Sequence, residues 1–321
     1  MVRSFLRNRM GFSQADVAAV VAGRPIARQM KTNDPIDVNV FGAVRLAASA
    51  ETFVEQVRQI DTYERRIGIG SVGKFHQPPV LADLDGLRLD RDELAEIRAC
   101  RPADCDAQFP PHAMARFSAE IDWKAPNAGP VASQIFREEL FALLNTYRAG
   151  GLAALPAYDD RPNSASLAAE FRLLLLPGDM PSEIPELGRY LTDYPKQALS
   201  GAEDIYYWNK GEFGMKPTIR LSHITVYPVP HPRFPDALRY IIATSQIYSN
   251  HYFSATLELR SIVDDPENPG RGCYQLYTTR SRVSGLTGFT GTLLRSLVRS
   301  RARSGMEKYL GVTKKAVETA R

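Results

Sequence analysis

Long apolar runs are missing from this 321-residue sequence, and so are most patterns of familiar catalytic chemistry. No stretch approaches the ~18–20 apolar residues that a membrane span needs, which excludes a transmembrane helix bundle. Cysteine occurs three times, as Cys100, Cys105 and a solitary Cys273. Zinc would need further ligands, and only His112 stands near the close pair. Histidine occurs five times, at 76, 112, 223, 231 and 251, with no pair at His-x-x-x-His or His-x-His spacing. No metal and no cofactor is therefore expected. G-x-S-x-G is absent, and Ser222 and His223, adjacent on a strand, would face opposite ways. A serine hydrolase has no local support. No fixed-period repeat is present. The start, "MVRSFLRNRMGF", is basic but lacks the apolar segment of a signal peptide. That leaves a cytosolic protein and a mature or truncated chain equally open.

What is present is ordinary globular material: 44% hydrophobic and 24% charged residues. A single domain of this size would bury about three quarters of its unfolded surface. The net charge is +4, too mild to imply nucleic acid, and none is expected as a partner. Its distribution is uneven. Basic residues crowd Arg280–Arg321, and Asp83–Asp106 is acid-rich.

One stretch, "RRIGIGSVGKFHQPP" from Arg65, fits two phosphate patterns by letter. Gly68, Gly70 and Gly73 spell G-x-G-x-x-G, and Lys74 closes G-x-x-x-x-G-K. A dinucleotide site needs a strand before and a helix after the glycines. Here an amphipathic helix precedes them, and Pro78 and Pro79 forbid a helix opening at Gly73. A phosphate loop needs Ser or Thr after the lysine, and Phe75 stands there. The context predicts a glycine-permissive turn leading into an edge strand, with Phe75 packed on the fold.

Local signals place the elements. Ser13 and Asp16 open a short helix that Gly23 ends. "RPIARQMK" and "IDVNVFGAVRLAA" read as a hairpin. Ser49 caps one amphipathic helix through "ETFVEQVRQIDTYERR", with Phe53, Val57 and Ile60 at helical spacing. Asp90 caps "RDELAEIRAC", and "PHAMARFSAEIDW" is a further helix. From Pro126 to about Leu191 the pattern is helical, punctuated by proline and glycine. Four strands follow Ile205: "PTIRLSHITVYP", "LRYIIATSQIYS", "HYFSATLELRSIVDD" and "GCYQLYTTRSRVSG". With no helices between them they predict an antiparallel sheet. A long helix from about Leu286 to Thr319 ends the chain, with Gly291, Gly305 and Gly311 as expected bends. The class is α+β: a curved antiparallel sheet, a long C-terminal helix and a helical insert at about 126–200. Residues 1–36 form an N-terminal helix and hairpin arm, and 37–321 the main domain.

Candidate site residues lie in the late strands. His223, His251 and Arg280 each sit among alternating apolar residues, with Tyr248, Tyr252 and Arg282 nearby. Facing inward, they would line an apolar concavity suited to a small molecule. Facing outward, they would be solvated or paired with one another. Arg295, Arg299 and Arg303 fall at i, i+4, i+8, one helix face. That face is either solvated or meets anionic lipid or another polyanion. Cys100 and Cys105 bracket "RPAD" and are either two free thiols, a small disulfide loop or part of a metal site.

The order of these segments resembles the START-like helix-grip (SRPBCC) superfamily. "VNVFGAVRLAASAETFVEQVRQI" is similar to its first strand and following helix. "SHITVYP", "YIIATSQIYSNHYFSATLELRSIV" and "CYQLYTTRSRV" are similar to its later strands, and "GFTGTLLRSLVRSRARSGMEKYLGVTKKAVE" to its closing helix. "FGAVRL", "GKFHQPP", "CRPADC" and "RSRVSGLTGF" also resemble bacterial proteins that are often exported, which implies a periplasmic or exported setting and the disulfide. The superfamily implies an apolar cavity between sheet and helix, and binding or transport of a hydrophobic or amphipathic small molecule such as a lipid. The helical insert departs from the superfamily's pattern. His223, His251 and Arg280 would orient such a ligand, and the basic helix would touch an anionic membrane. Two other functions remain open: an enzyme on the same scaffold, with His251 as general acid or base near neutral pH, and a non-catalytic interaction module whose insert is the partner surface.

Overall fold

The computed structural model describes residues 2–158, 166–175, 184–212, 216–230 and 237–319. His231 lies outside them. The strands are β1 (Ile26–Gln29), β2 (Asp37–Leu46), β3 (Ser71–Lys74), β4 (Glu203–Glu212), β5 (Pro217–Pro228), β6 (Leu238–Ser249), β7 (Phe253–Asp264) and β8 (Cys273–Val283). They form one open eight-stranded sheet in the order β1-β2-β8-β7-β6-β5-β4-β3. Every neighbouring pair is antiparallel. The helices are α1 (Val2–Asn8), α2 (Gln14–Val21), α3 (Ala50–Arg58), α4 (Ile60–Arg66), α5 (Arg91–Ala99), α6 (Pro111–Glu120), α7 (Ala128–Gly150), α8 (Leu167–Leu174), α9 (Pro185–Asp193) and α10 (Gly288–Glu318).

Helices cover both faces of the sheet. On one face α3, α4 and α10 bury Phe53, Val54, Val57, Ile60, Met306 and Leu310 against Val38, Val40, Val44 and Leu46 of β2 and Ile224, Ile242 and Ile262 beyond it. Each such side chain contributes about 1.5–3 kcal/mol relative to exposure. On the other face α1, α2 and the helices from α5 to α9 cover Phe41, Ala43, Trp208, Leu221, Leu257 and Leu276. We call these the gripped face and the insert face. Alternation along a strand assigns each residue to one of them. Even-numbered residues of β7 face α10, while odd-numbered residues of β5 face the insert.

The caps form as expected. Ser13 accepts from the Asp16 amide, and the Asp16 carboxylate accepts from the Ser13 amide. Asp90 and Glu93 make the same reciprocal pair for α5. The single helix expected after Ser49 is two, broken at Gln59, whose φ and ψ of −98° and 50° leave the helical region. The late sheet has five strands rather than four. β4 carries Asn209, Lys210 and Gly211, poor strand formers, but pairs with β3 on one side and β5 on the other. The glycines of α10 do not break it; it runs 31 residues. Packing on β1 and β2 outweighs about 1 kcal/mol per glycine. It approaches β2 closely at Gly42, where a Cβ would meet Leu310 Cδ1 at 2.7 Å and Met306 Cγ at 2.8 Å.

Ser71–Lys74 is an edge strand on β4, and no helix opens at Gly73. Phe75 is buried beside it. The glycine at 73 serves a close approach: any Cβ there would penetrate the indole of Trp208, which is buried and donates from Nε1 to the Asp83 carbonyl at 2.8 Å. Gly73→Ala should therefore lower stability by about 1–3 kcal/mol. Urea unfolding would report a lower midpoint at unchanged m-value; a wild-type midpoint would mean that Trp208 moves aside at no cost.

Candidate functional site

Of the residues singled out in the late strands, His223, Tyr248, His251, Arg280 and Arg282 are buried and Tyr252 is half-buried, and they fall in separate clusters. His223 lies on the insert face, away from α10. Its Nδ1 meets the Tyr147 hydroxyl at 2.8 Å and its Nε2 meets Asp204 Oδ1 at 2.8 Å. The ring stacks on Tyr206, with centroids 4.8 Å apart, and lies 4.7 Å from Tyr194. Tyr190 donates to the same Asp204 oxygen at 2.6 Å. Burial works to raise the Asp204 carboxyl, but its bonds from His223, Tyr190 and Thr225 outweigh this and hold it below its ordinary value. Burial pushes the Tyr147 phenol well up, so it stays protonated. The cluster ties α7, α9 and the Tyr194 segment to β4 and β5.

His251 is not in a strand. It occupies the turn between β6 and β7, where the Phe253 amide donates to the His251 carbonyl at 2.7 Å and Tyr252 takes a left-handed φ of 63°. Its Nε2 pairs with Glu96 of α5 at 3.1 Å, and Nδ1 lies 3.3 Å from the Asp106 carbonyl. Lys216 also pairs with Glu96. Burial works to raise Glu96, and His251 and Lys216 overcome it. Cys100 and Cys105 are joined by a disulfide in the same corner. The Tyr252 hydroxyl accepts from the Lys216 amide at 2.8 Å, and Tyr248 donates to the Gln108 carbonyl at 2.9 Å.

Arg280 and Arg282 stand further along the insert face. Arg280 donates to the Leu174 carbonyl at 2.8 Å. Arg282 holds three carboxylates: Glu170, Asp37 at 2.7 Å and Asp34 at 3.0 Å. These pairs fasten α8 and the turn before β2 to β8. In both histidines each ring nitrogen already has a partner, which leaves no free nitrogen for a substrate. Among the described residues Leu173 is the one large hydrophobic side chain of the insert that stands exposed.

The gripped face holds a polar centre that the sequence reading did not single out. Glu258 of β7 takes Arg220 Nη2 at 3.1 Å on one oxygen. Its other oxygen takes Arg260 Nη2 at 3.0 Å and the Tyr277 hydroxyl at 2.7 Å. Arg260 also donates to the Tyr309 hydroxyl of α10 at 3.1 Å, and its guanidinium lies 4.8 Å from the Tyr277 ring centre. Beside it, Asn209 Nδ2 donates to Glu64 of α4 at 2.7 Å, and Tyr63 bonds Thr313 at 2.9 Å. Arg220, Arg260, Glu258 and Glu64 are all buried. Burial works to raise Glu258, but the two guanidiniums dominate and keep it ionised. Glu64 makes no ion pair among the described residues, and burial outweighs the more distant pull of Arg260 and Arg220 and pushes its carboxyl up to about 7. Around neutral pH two guanidiniums thus face one firmly ionised carboxylate.

Five buried polar atoms of this face find no partner among the described residues: Asn209 Oδ1, Gln246 Oε1, Arg260 Nε, and Gln275 Oε1 and Nε2. Each such group costs about 1–3 kcal/mol. A sequence signal for the centre does exist. Arg220, Glu258 and Arg260 are charged residues inside long, largely buried strands.

Glu64 gives a pH signature. Its folded value near 7 lies above its ordinary 4.5. The folded protein therefore holds a proton that the unfolded chain releases. The associated stability is full below about pH 4.5 and is lost as pH rises through about 7, a span of roughly 3 kcal/mol. Glu64→Gln should flatten this fall in urea-denaturation stabilities measured across that range; parallel wild-type and variant curves would contradict the assignment. Comparison with protein-family models, curated proteins and solved structures finds no significant match to the chain, so the site is interpreted from its own chemistry.

Proposed function

We propose that this protein binds an amphipathic small molecule with an acidic head, such as a fatty acid or anionic lipid, between the sheet and α10. The reading rests on one observation: among the described residues, five polar atoms without partners gather on the gripped face beside the buried Arg260–Glu258 pair. An anionic head would accept from Arg260 Nε and Gln275 Nε2. Ile224, Val226, Ile242 and Ile262 on the same face would meet an apolar tail. The chain order supports the helix-grip likeness apart from the insert: β2, two short helices, β3, the helices from α5 to α9, the strands from β4 to β8, then α10, with β2 paired to β8. In this reading His223, Arg280 and Arg282 anchor the insert, and the head-group contacts belong to Arg260 and its neighbours.

Gln275 separates a ligand site from a mere packing defect. Its amide is fully buried, and both its polar atoms lack partners among the described residues. Gln275→Leu should raise the stability of the ligand-free protein by about 1–3 kcal/mol while weakening uptake of a fluorescent fatty acid. Native mass spectrometry of gently purified wild-type protein should show a bound amphiphile. Protein that carries nothing and takes up no probe would refute the reading.

A further inference from the structure

A second feature lies where the first half of α10 passes the end of β1, and it shares no residue with the gripped-face centre. From Gly288 to Met306 the helix has four arginines, at 295, 299, 301 and 303, and no acid. Arg295, Arg299 and Arg303 recur every four residues, so they run along one side of the helix about 6 Å apart. That side packs on the sheet at Met306 and Leu310. Nearer the start of the helix it opens into a groove of about 600 Å³, lined by the three arginines, Gln29 at the end of β1 and the hydroxyl residues Thr292, Ser296 and Ser300.

The groove collects positive charge without neutralising it. Arg295 donates to the Thr292 hydroxyl at 2.7 Å, and Arg299 to the Thr32 hydroxyl at 3.2 Å and the Asp37 carbonyl at 3.4 Å, all neutral acceptors. The carboxylates of Asp34 and Asp37 are engaged by Arg282, and that of Glu307 accepts from the Ala27 amide of β1. Arg299 Nε and Gln29 Nε2 are buried donors without an acceptor among the described residues. Like charges four residues apart repel, so the row is costly to the fold by itself. The lining has no aromatic or aliphatic side chain to receive a base or an acyl tail. A single phosphate would engage one or two of the guanidiniums, whereas linked phosphates, charged along their length, would engage all three. The exposed Leu294 and Leu297 fall on the opposite side of α10, so a bilayer that took up the leucines would not reach the groove.

We propose that this groove binds a soluble molecule carrying linked phosphates, with the guanidiniums of Arg295, Arg299 and Arg303 spaced along the phosphate chain. Isothermal titration calorimetry of the full chain with tripolyphosphate should show saturable binding at a single site. It should be about tenfold tighter than with orthophosphate, since further charged hydrogen bonds form, and should weaken as salt rises. Arg295→Gln and Arg303→Gln should each weaken it about tenfold, the loss of one charged hydrogen bond. Arg301→Gln removes the same charge from the exposed, opposite side of α10 and should leave the affinity within about twofold. The ligand-free Arg295→Gln and Arg303→Gln proteins should melt at or above the wild-type temperature, because a repulsion is relieved. No binding, equal affinity for orthophosphate and tripolyphosphate, equal losses in Arg301→Gln and Arg303→Gln, or tighter binding of duplex DNA or of phosphatidylglycerol vesicles than of tripolyphosphate would each overturn the proposal.

Discussion

A sheet covered by helices on both faces has no solvent side, and this constraint governs the molecule. Any charged residue in a central strand must find its partner inside. Neither edge strand extends the solvent-free zone far, since β1 and β3 are each four residues long. Short edges also limit pairing with other chains. The interior of β4 to β8 is therefore where polar side chains demand an explanation.

The two faces meet that demand differently. On the insert face polar groups act as fasteners between the sheet and segments distant in sequence. His223 joins Tyr147 to Asp204, His251 joins the sheet to Glu96, and Arg282 gathers Asp34, Asp37 and Glu170. The helices from α5 to α9 are short apart from α7, and individually weak without tertiary packing. Buried ion pairs fix where they land. On the gripped face Arg260 and Glu258 are paired, yet amide and guanidinium atoms around them are not.

The sequence carried the local part of this arrangement. Ser13, Ser49 and Asp90 read as helix caps because capping depends on residues three apart, and the β1–β2 hairpin read from alternation. Phe75 and the proline pair ruled out a nucleotide loop from context alone, and Cys100 and Cys105 left a disulfide among three possibilities. What local pattern does not contain is the identity of the covering layer. His223 and Arg260 both look like polar residues in apolar strands. Only the parity of each strand relative to α10 separates a fastener from a residue of the polar centre. β4 was hidden for a related reason: its strand character comes from neighbours on both sides rather than from Asn209, Lys210 and Gly211. His251 fell in a turn because the β6–β7 connection is tighter than "SNHY" suggests without a glycine or proline.

Stability does not account for the gripped-face centre. Replacing a buried ion pair by well-packed apolar residues is often neutral or favourable, and each unpartnered buried group adds its own cost. The surrounding core has such replacements at hand. Ile224, Val226, Ile242 and Ile262 occupy equivalent positions on the same strands and pack without any polar obligation. The centre does touch its covering helices, through Arg260 and Tyr309 of α10 and through Asn209 and Glu64 of α4, but those helices also bury apolar stripes of their own against the sheet. A cluster with unpartnered polar atoms among the described residues, lying beneath the longest helix, is the feature on which the proposed ligand site rests. On the insert face Asn39 Oδ1 and Glu93 Oε1 also lack partners among the described residues, but the buried guanidinium of Arg282 there is held by three carboxylates. That difference, within one sheet, is the physical reason to look for a ligand under α10.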